Sequence, residues 1–303
     1  MGGEKIIAGL IGAVLAACAK GRGLTVGSKN FTEQVILGEI VAQHVSLRLS
    51  QRADRKLNLG GTLLAHQALV QGGLDLYPEY TGTALTSILK LPPSIGMAPA
   101  DVFATVKAEY QRRFNIEWLD PLGFNNTFAM VIRGEDARRH KIESLSEASR
   151  VAPGKEGKEG KGGWRLGVGY EFQQRPDGLP GLLKTYKLPF KGSPKTMDLG
   201  LLYKALEEKQ VDMVAANATD GLLSVLDVKV LRDDKRYFPP YQAALTVRAD
   251  ALAAHPSLKS VLDLLSGKFS DEIMRTLNYQ VDGKHRPVSE VALFFLRASG
   301  LLA

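Results

Sequence analysis

Aromatic and cationic side chains recur where predicted strands end, and together they suit one kind of chemistry. The residues concerned are the rings of Tyr80, Phe128 and Tyr241 and the donors Lys29, Thr83 and Arg175. An aromatic face attracts a cation by about 0.5 to 2 kcal/mol, and grouped rings recognise quaternary ammonium groups. Arginine and lysine, which we expect at the opposite end of such a site, can hold a carboxylate. The pattern indicates a site for a small organic cation or zwitterion, although each tyrosine taken singly also suits core packing.

The sequence contains no arrangement typical of catalysis or of metal binding. The five histidines are dispersed along the chain: His44, His66, His140, His255 and His285. HExxH, GxSxG, GxxxxGK[ST] and a GxGxxG that follows a strand are all absent. We therefore predict that the protein is not an enzyme and that it uses no metal and no cofactor. A hydrolase or transferase on an α/β scaffold stays open as an alternative that detected turnover would revive.

Composition and charge narrow the class further. The chain has 303 residues, is 45% hydrophobic and carries a net charge of +7, which is enough apolar sequence for one large core or two modest ones. Its Lys and Arg residues are scattered, and the densest run, at 154–163, mixes Lys with Glu among glycines. Such a run is typical of a flexible linker rather than of a phosphate-binding patch. We predict no nucleic-acid binding.

The amino terminus has the pattern of an export signal. Lys5 precedes the apolar run 6–17, which is too short to span a bilayer comfortably but suits a signal-peptide core. Cys18 is the sole cysteine, and the segment 15–18 (LAAC) resembles a bacterial lipobox. We predict a signal peptide at 1–18, lipidation of Cys18 and an exported, membrane-anchored protein. The alternative is an ordinary amino-terminal helix with a buried cysteine.

Alternating strand and helix patterns predict an α/β fold that positions these side chains. A short buried strand at 24–28 leads to a helix from Phe31 to about Arg48, which Asn30 and Glu33 could cap. The free N–H groups at this helix start, beside Lys29, could receive an anion, although a solvated lysine is equally compatible. The strand 74–77 then delivers the turn that contains Tyr80 and Thr83.

The second half of the chain repeats the first. Two matches carry the repeat: residues 166–171 align with 24–29, and residues 205–212 align with 68–75. This register places Asn217 where Tyr80 stands, at the carboxyl end of an equivalent strand. We expect two βαβ lobes joined by two crossings near 125 and 238, with a ligand cleft between them. The predicted boundaries are 24–124 with 239–303 for the first lobe, and 125–238 for the second.

Six motifs, in order along the chain, resemble the osmoprotectant-binding proteins of bacterial ABC importers, which take up glycine betaine, choline, carnitine and related quaternary amines. The motifs are 26–34 (VGSKNFTEQ), 60–62 (GGT), 77–83 (YPEYTGT), 175–178 (RPDG), 218–221 (ATDG) and 238–241 (FPPY). The resemblance implies a type II periplasmic-binding-protein fold whose two lobes close on the ligand by a hinge motion.

In that family four tyrosines commonly surround the trimethylammonium group, while a Lys, an Arg and a Thr hold the carboxylate. By motif, Lys29, Thr83 and Arg175 match the carboxylate side, and Tyr80 and Tyr241 match the cage. Phe128 and Asn217 stand where tyrosine is often found, and Asn126 could add a polar contact. Phenylalanine keeps a π face whereas asparagine removes a wall, which leaves open a weaker, larger or differently shaped amine.

The resemblance implies a monomeric solute-binding lipoprotein that captures a quaternary amine or zwitterion and passes it to an ABC permease. Two other possibilities remain open at this point. One is a receptor for a different small amine or an amino acid. The other is a ligand-sensing module without a role in transport.

Overall fold

The computed structural model describes residues 23–92, 96–151, 153 and 162–302. Cys18 and the predicted signal peptide at 1–18 lie outside the described residues, as does most of the predicted linker at 154–163. Among the residues described, no helix is both long enough and apolar enough to cross a membrane.

Strands and helices alternate along most of the chain, as predicted. The strands are β1 (Thr25–Gly27), β2 (Asp54–Lys56), β3 (Leu76–Tyr80), β4 (Ile116–Trp118), β5 (Phe128–Arg133), β6 (Leu166–Val168), β7 (Lys195–Thr196), β8 (Met213–Asn217), β9 (Val228–Val230) and β10 (Ala243–Arg248). The helices are α1 (Thr32–Arg48), α2 (Thr62–Val70), α3 (Thr81–Thr83), α4 (Pro99–Phe114), α5 (Gly134–His140), α6 (Leu145–Ala148), α7 (Tyr170–Gln174), α8 (Leu179–Tyr186), α9 (Leu202–Glu207), α10 (Ala249–Ala254), α11 (Leu258–Asp263), α12 (Asp271–Asp282) and α13 (Val288–Ala298). A π-helical turn (Ala84–Ile88) continues α3, and 3₁₀ turns occur at Leu199–Leu201 and Gly221–Ser224.

The strands form two five-stranded sheets with the same plan. The first sheet, in lobe I, has the order β2-β1-β3-β10-β4, and the second, in lobe II, has the order β7-β6-β8-β5-β9. In each sheet the first three strands of this order pair in parallel. The fourth strand pairs antiparallel with both of its neighbours, the third and the fifth. β3 and β8 are the middle strands, and Tyr80 and Asn217 are their last residues. The structure therefore confirms the internal repeat and the equivalence of these two positions.

Each sheet is covered on both faces, so its middle strand is almost wholly buried. In lobe I, one face packs against α1 and α13 in a core that includes Val26, Ile40 and Phe295. The other face packs against α2 and α4 through residues such as Tyr110 and Trp118. The sheet of lobe II likewise lies between two apolar clusters. Because side chains fill both faces, the free space for a ligand lies at the strand ends.

The chain passes between the sheets twice, as predicted. It leaves lobe I after β4 and returns to it before β10, and the two connecting segments lie side by side. Asn125 pairs with Gln242 in an antiparallel bridge, and the Asn126 N–H donates to the Tyr241 carbonyl at 3.1 Å. This pairing holds the crossings together where the lobes meet. The boundaries at 124 and 238 stay a prediction.

Candidate functional site

A cavity of about 630 Å³ lies between the lobes, at the carboxyl ends of their middle strands. All eight side chains that the sequence predicted as ligand contacts line it: Lys29, Tyr80, Thr83, Asn126, Phe128, Arg175, Asn217 and Tyr241. Side chains from opposite lobes meet across this cavity. The Glu171 carboxylate of lobe II accepts from the Thr62 N–H at 2.5 Å and from the Thr62 hydroxyl at 3.0 Å. The predicted residues are thus brought together, and their role as ligand contacts stays a prediction.

Local backbone features place the aromatic side chains. Tyr80 ends β3, and Phe128 begins β5 at the first crossing. Tyr241 lies at the second crossing, where a close approach of backbone to ring requires glycine at position 82. A Cβ there would lie 2.7 Å from Tyr241 ring carbons and 2.8 Å from the Pro240 carbonyl oxygen. Gly82 therefore allows the Tyr241 ring to lie against the turn that carries Thr83.

Arg175 is the centre of the predicted carboxylate-binding group, and it also contacts the aromatic rings. Its guanidinium donates to both carboxylate oxygens of Asp177, at 2.9 and 2.6 Å, and to the Thr83 hydroxyl across the cleft at 3.1 Å. The guanidinium carbon lies 5.0 Å from the Phe128 ring centroid and 5.8 Å from that of Tyr241. We expected cations and rings at opposite ends of the site. That expectation is wrong, because the structure interleaves them.

Charge pairing keeps Arg175 ionised within the cavity wall. Burial opposes its charge, but the hydrogen bonds to Asp177 raise the Arg175 pKa above its ordinary value. Burial also opposes the charge of Asp177, and the Arg175 guanidinium outweighs it and lowers the Asp177 pKa. The Tyr241 hydroxyl donates to the same carboxylate at 2.6 Å. Arg175, Asp177 and Tyr241 thus form one hydrogen-bonded unit that holds a guanidinium against an aromatic face.

Lys29 is buried, although we expected it beside an open helix start. Its ammonium lies 2.5 Å from Glu79 Oε1, 3.1 Å from the Thr62 hydroxyl oxygen and 5.1 Å from the Tyr80 ring centroid. The side chain is only 3% exposed. An ammonium has three N–H donors and a guanidinium has five, so Lys29 and Arg175 each retain donors after their contacts within the chain. The Glu171 carboxylate lies 3.6 Å from Arg175 Nη1, and the charges of Lys29 and Arg175 contribute to lowering the Glu171 pKa against the effect of burial.

Glu33 is the main site residue that the sequence analysis missed. We predicted that it caps α1 together with Asn30, and this is wrong. Phe31 is the N-cap residue of α1, and no side chain caps the helix. The Glu33 carboxylate is instead buried at the cavity wall, where four donors from both lobes converge on it. The donors are the Tyr80 hydroxyl at 2.7 Å, the Asn126 amide at 2.8 Å, the Thr219 hydroxyl at 2.5 Å and the Asn278 amide at 3.2 Å.

Burial raises the pKa of Glu33, and the four hydrogen bonds oppose that increase. Each donor comes from a different segment, so the carboxylate ties α1 to β3, to the first crossing, to the loop after β8 and to α12. The sequence signal for this role was the position of Glu33 in the motif 26–34, but a helix-start pattern explained it equally well. Glu33 is identified as a buried acceptor, and not as a helix cap, only because donors from four segments distant in sequence converge on its carboxylate.

Asn217 lies on the lobe II side of the cavity next to a second missed carboxylate. The Asn217 N–H and the Tyr203 hydroxyl both donate to Asp220 Oδ2 at 3.0 Å. Burial raises the pKa of Asp220 to about 7, and these hydrogen bonds oppose the rise. Asn217 pairs directly with Phe128 across two antiparallel strands, so the two side chains project from the same face. Asn217, the position predicted to lack an aromatic ring of the cage, therefore lies next to the ring of Phe128.

Comparisons with known proteins show which proteins this chain resembles. The family described as the substrate binding domain of ABC-type glycine betaine transport systems matches residues 22–298. An ergothioneine transport permease/ergothioneine binding protein of Helicobacter pylori (strain G27) is 36% identical over 284 residues, which are 92% of this chain and 48% of that relative. The chain thus spans about half the length of that relative. A glycine-betaine-binding protein of Pseudomonas aeruginosa is 34% identical over 293 residues, or 96% of this chain and 92% of the relative. The solved structure of a glycine betaine/carnitine/choline ABC transporter has a TM-score of 0.75 and 29% identity, covering 92% of this chain and 100% of that one.

Proposed function

We propose that this chain, which belongs to the family of substrate-binding domains of ABC-type glycine betaine transport systems, captures a betaine-type quaternary amine for a membrane permease. The observation that carries the proposal is the environment of Arg175. Its guanidinium donates to Thr83 across the cleft while the Phe128 and Tyr241 rings lie within 6 Å of it. Carboxylate donors and aromatic faces thus meet in one buried cavity, and a betaine carries a carboxylate and a quaternary ammonium close together.

The ligands after which these two relatives are named share this chemistry. Ergothioneine and glycine betaine both carry a trimethylammonium group and a carboxylate, although the rest of each molecule differs. The retained donors of Lys29 and Arg175 suit the carboxylate, and the rings of Tyr80, Phe128 and Tyr241 suit the cation. A cavity of about 630 Å³ is within the usual range of small-molecule sites and accommodates more than the trimethylammonium group alone.

The remaining parts of the proposal concern location and partners. We propose that residues 1–18 direct export, that Cys18 receives a lipid anchor and that the mature domain acts as a monomer outside the cytoplasm. Delivery of ligand to permease subunits is the role of the family, and the same role is proposed here. The protein is proposed to be a binding protein without catalytic activity. A receptor for amino acids or a sensor without transport function are the competing possibilities.

A thermal-shift screen of residues 19–303 tests the ligand class. The panel contains glycine betaine, choline, carnitine, proline betaine and ergothioneine, with glycine, proline and histidine as unmethylated controls. A ligand at 100 times its Kd stabilises the folded state by about 2.7 kcal/mol, which corresponds to a Tm increase of roughly 5 °C or more. We expect shifts with methylated amines and none with the controls. Shifts with amino acids alone would support the competing receptor, and an absence of any shift would contradict the proposal.

A matched variant shows whether a shift arises in the cleft. Arg175→Met keeps most of the side-chain length and removes the guanidinium. We expect it to abolish the shift with carboxylate-bearing ligands while the unliganded domain still melts cooperatively. An undiminished shift in Arg175→Met would place ligand binding elsewhere.

A further inference from the structure

A carboxylate of the protein itself lies where a ligand carboxylate is proposed to bind. Glu171 lines the cavity, and its side chain is 42% exposed. Its carboxylate lies 3.6 Å from Arg175 Nη1 and accepts from the Thr62 hydroxyl at 3.0 Å, while the Lys29 ammonium donates to that same hydroxyl at 3.1 Å. The two cations proposed to hold the ligand carboxylate are thus joined through Thr62 and Glu171.

Lys29 and Arg175 each have another carboxylate partner besides Glu171. The Lys29 ammonium contacts Glu79 at 2.5 Å, and the Arg175 guanidinium contacts Asp177 at 2.6 Å. Three carboxylates therefore surround two cations, and Glu171 is the one in excess. Burial opposes the charge of Glu171, but the nearby cations and hydrogen bonds outweigh it and lower the Glu171 pKa. Glu171 therefore stays ionised at neutral pH.

A glycine at position 61 allows this approach of Glu171. A Cβ on Gly61 would lie 2.6 Å from Glu171 Oε1, which is too close for the two atoms to coexist. The backbone φ of Gly61 is −75°, which other residues adopt without strain, so the turn itself does not require glycine. Glu171 also accepts from the Thr62 N–H at 2.5 Å, at the start of α2, where the helix dipole favours a negative charge. The local backbone thus makes room for the carboxylate and stabilises it.

We propose that Glu171 is a specificity-determining residue, an internal anion that competes with the carboxylate of the ligand for Lys29 and Arg175. The proposal rests on the proposed function and deepens it, because it identifies a residue that sets the preference between zwitterions and cations that lack a carboxylate. A zwitterion must move Glu171 away or bind beside a like charge, and either costs binding free energy. A cation without a carboxylate leaves Glu171 in place. Glu171 thus lowers the affinity for betaines relative to such cations.

Glu171→Gln tests this competition, because it removes the charge and keeps the shape of the side chain. Three ligands are titrated into wild type and variant by calorimetry. Glycine betaine has a cation and a carboxylate, choline has the cation and a hydroxyl, and 3,3-dimethylbutyrate has only the carboxylate. We expect the two carboxylate-bearing ligands to bind the variant about tenfold or more tightly than wild type, while the affinity for choline stays within about threefold.

The comparison among ligands separates competition from lobe closure. Glu171 also joins the lobes through Thr62, so a change in closure alone would alter the affinities for all three ligands alike. Asp198→Asn is the matched control, because it removes one negative charge from the same cavity, whereas the ion pairs of Lys29 and Arg175 involve other carboxylates. Equal changes for all three ligands in Glu171→Gln, no change, or a loss confined to the carboxylate-bearing ligands would overturn the proposal. The same gain in Asp198→Asn would overturn it as well.

Gly61→Ala is a second test that leaves the charge of Glu171 in place. The added Cβ forces the carboxylate away from its position beside Arg175. We expect the ratio of the affinity for glycine betaine to that for choline to rise by about threefold or more, and an unchanged or lower ratio would contradict the competition. Failure of this inference is distinct from failure of the proposed function. In the first case quaternary amines bind with a ratio that does not depend on Glu171, whereas in the second no quaternary amine binds.

Discussion

Substitution of Tyr241 tests whether the aromatic rings of the cavity bind the cation of the ligand, because the ring and the hydroxyl of Tyr241 make separate contacts. The ring borders the cavity, and the hydroxyl donates to Asp177 at 2.6 Å. Tyr241→Phe keeps the ring and removes that hydrogen bond, whereas Tyr241→Leu removes the aromatic face. One aromatic face contributes about 0.5 to 2 kcal/mol to a bound cation, which is about 2- to 30-fold in Kd. We therefore expect Tyr241→Leu to weaken quaternary amine binding by that factor.

The hydroxyl should matter more for stability than for affinity. Asp177 is buried, and Arg175 also donates to both of its carboxylate oxygens. Loss of one hydrogen bond to a charged group costs about 1.5 to 3 kcal/mol of folding free energy. Tyr241→Phe should thus unfold at lower denaturant concentration while its Kd stays within about threefold of wild type.

The assay compares a cation with its uncharged isostere. Glycine betaine and 3,3-dimethylbutyrate have the same shape and carboxylate, but carbon replaces nitrogen in the second. Titration calorimetry with both ligands separates loss of cation–π attraction from loss of apolar contact. In Tyr241→Leu we expect a larger decrease in affinity for glycine betaine than for 3,3-dimethylbutyrate. Equal decreases for both ligands, or none, would refute the role of Tyr241 as a cation-binding face.

Three further predictions concern neighbouring residues. Asn217→Tyr adds a ring beside Phe128, and calorimetry should show glycine betaine binding about 2- to 5-fold tighter; an unchanged Kd would mean that the new ring does not reach the cation. Gly82→Ala forces a Cβ to within 2.7 Å of Tyr241 ring carbons, and urea unfolding should show a loss of about 1 to 3 kcal/mol, which an unaltered midpoint would contradict. The Asp220 carboxyl has a pKa raised to about 7 from an ordinary value of 3.8, so it contributes stability below about pH 4 that is lost as the pH rises toward 7. Urea unfolding at several pH values should therefore show that the free energy of unfolding of wild type, minus that of Asp220→Asn, falls by up to a few kcal/mol over that range. A difference in unfolding free energy that stays constant with pH would rule out the raised pKa.

The positions of the strand ends illustrate which features of this protein can be predicted from its sequence. The resemblance to osmoprotectant-binding proteins is confirmed, and so are the two-lobed fold and the equivalence of Tyr80 and Asn217. These features depend on local patterns, namely short apolar strands, glycine turns and a repeated spacing. Such patterns are encoded within tens of residues and can be recognised without knowing what packs against them.

The partners of the charged groups could not be predicted in the same way. Lys29 was expected at an open helix start, yet its ammonium contacts Glu79, which is 50 residues further along the chain. Asp177 lies in the motif 175–178, but its contact with Tyr241 crosses 64 residues. A carboxylate near a helix start is compatible with a cap, a solvated side chain or a buried ion pair. Burial decides among these, and burial depends on the whole fold.

The sequence by itself determined the fold class, the order of the elements and eight of the side chains that line the cavity, because local patterns show where strands and turns lie and family motifs mark their ends. Only the tertiary structure decided how those side chains are paired. It placed the cations among the rings instead of opposite them, and it made Glu33 the acceptor for four segments from both lobes. The physical reason is that an unpaired charge in a closed cleft is costly, so each buried ionised group must find partners from whichever segments the fold brings near. Those partners are far apart in the sequence, and their proximity is a property of the folded chain alone.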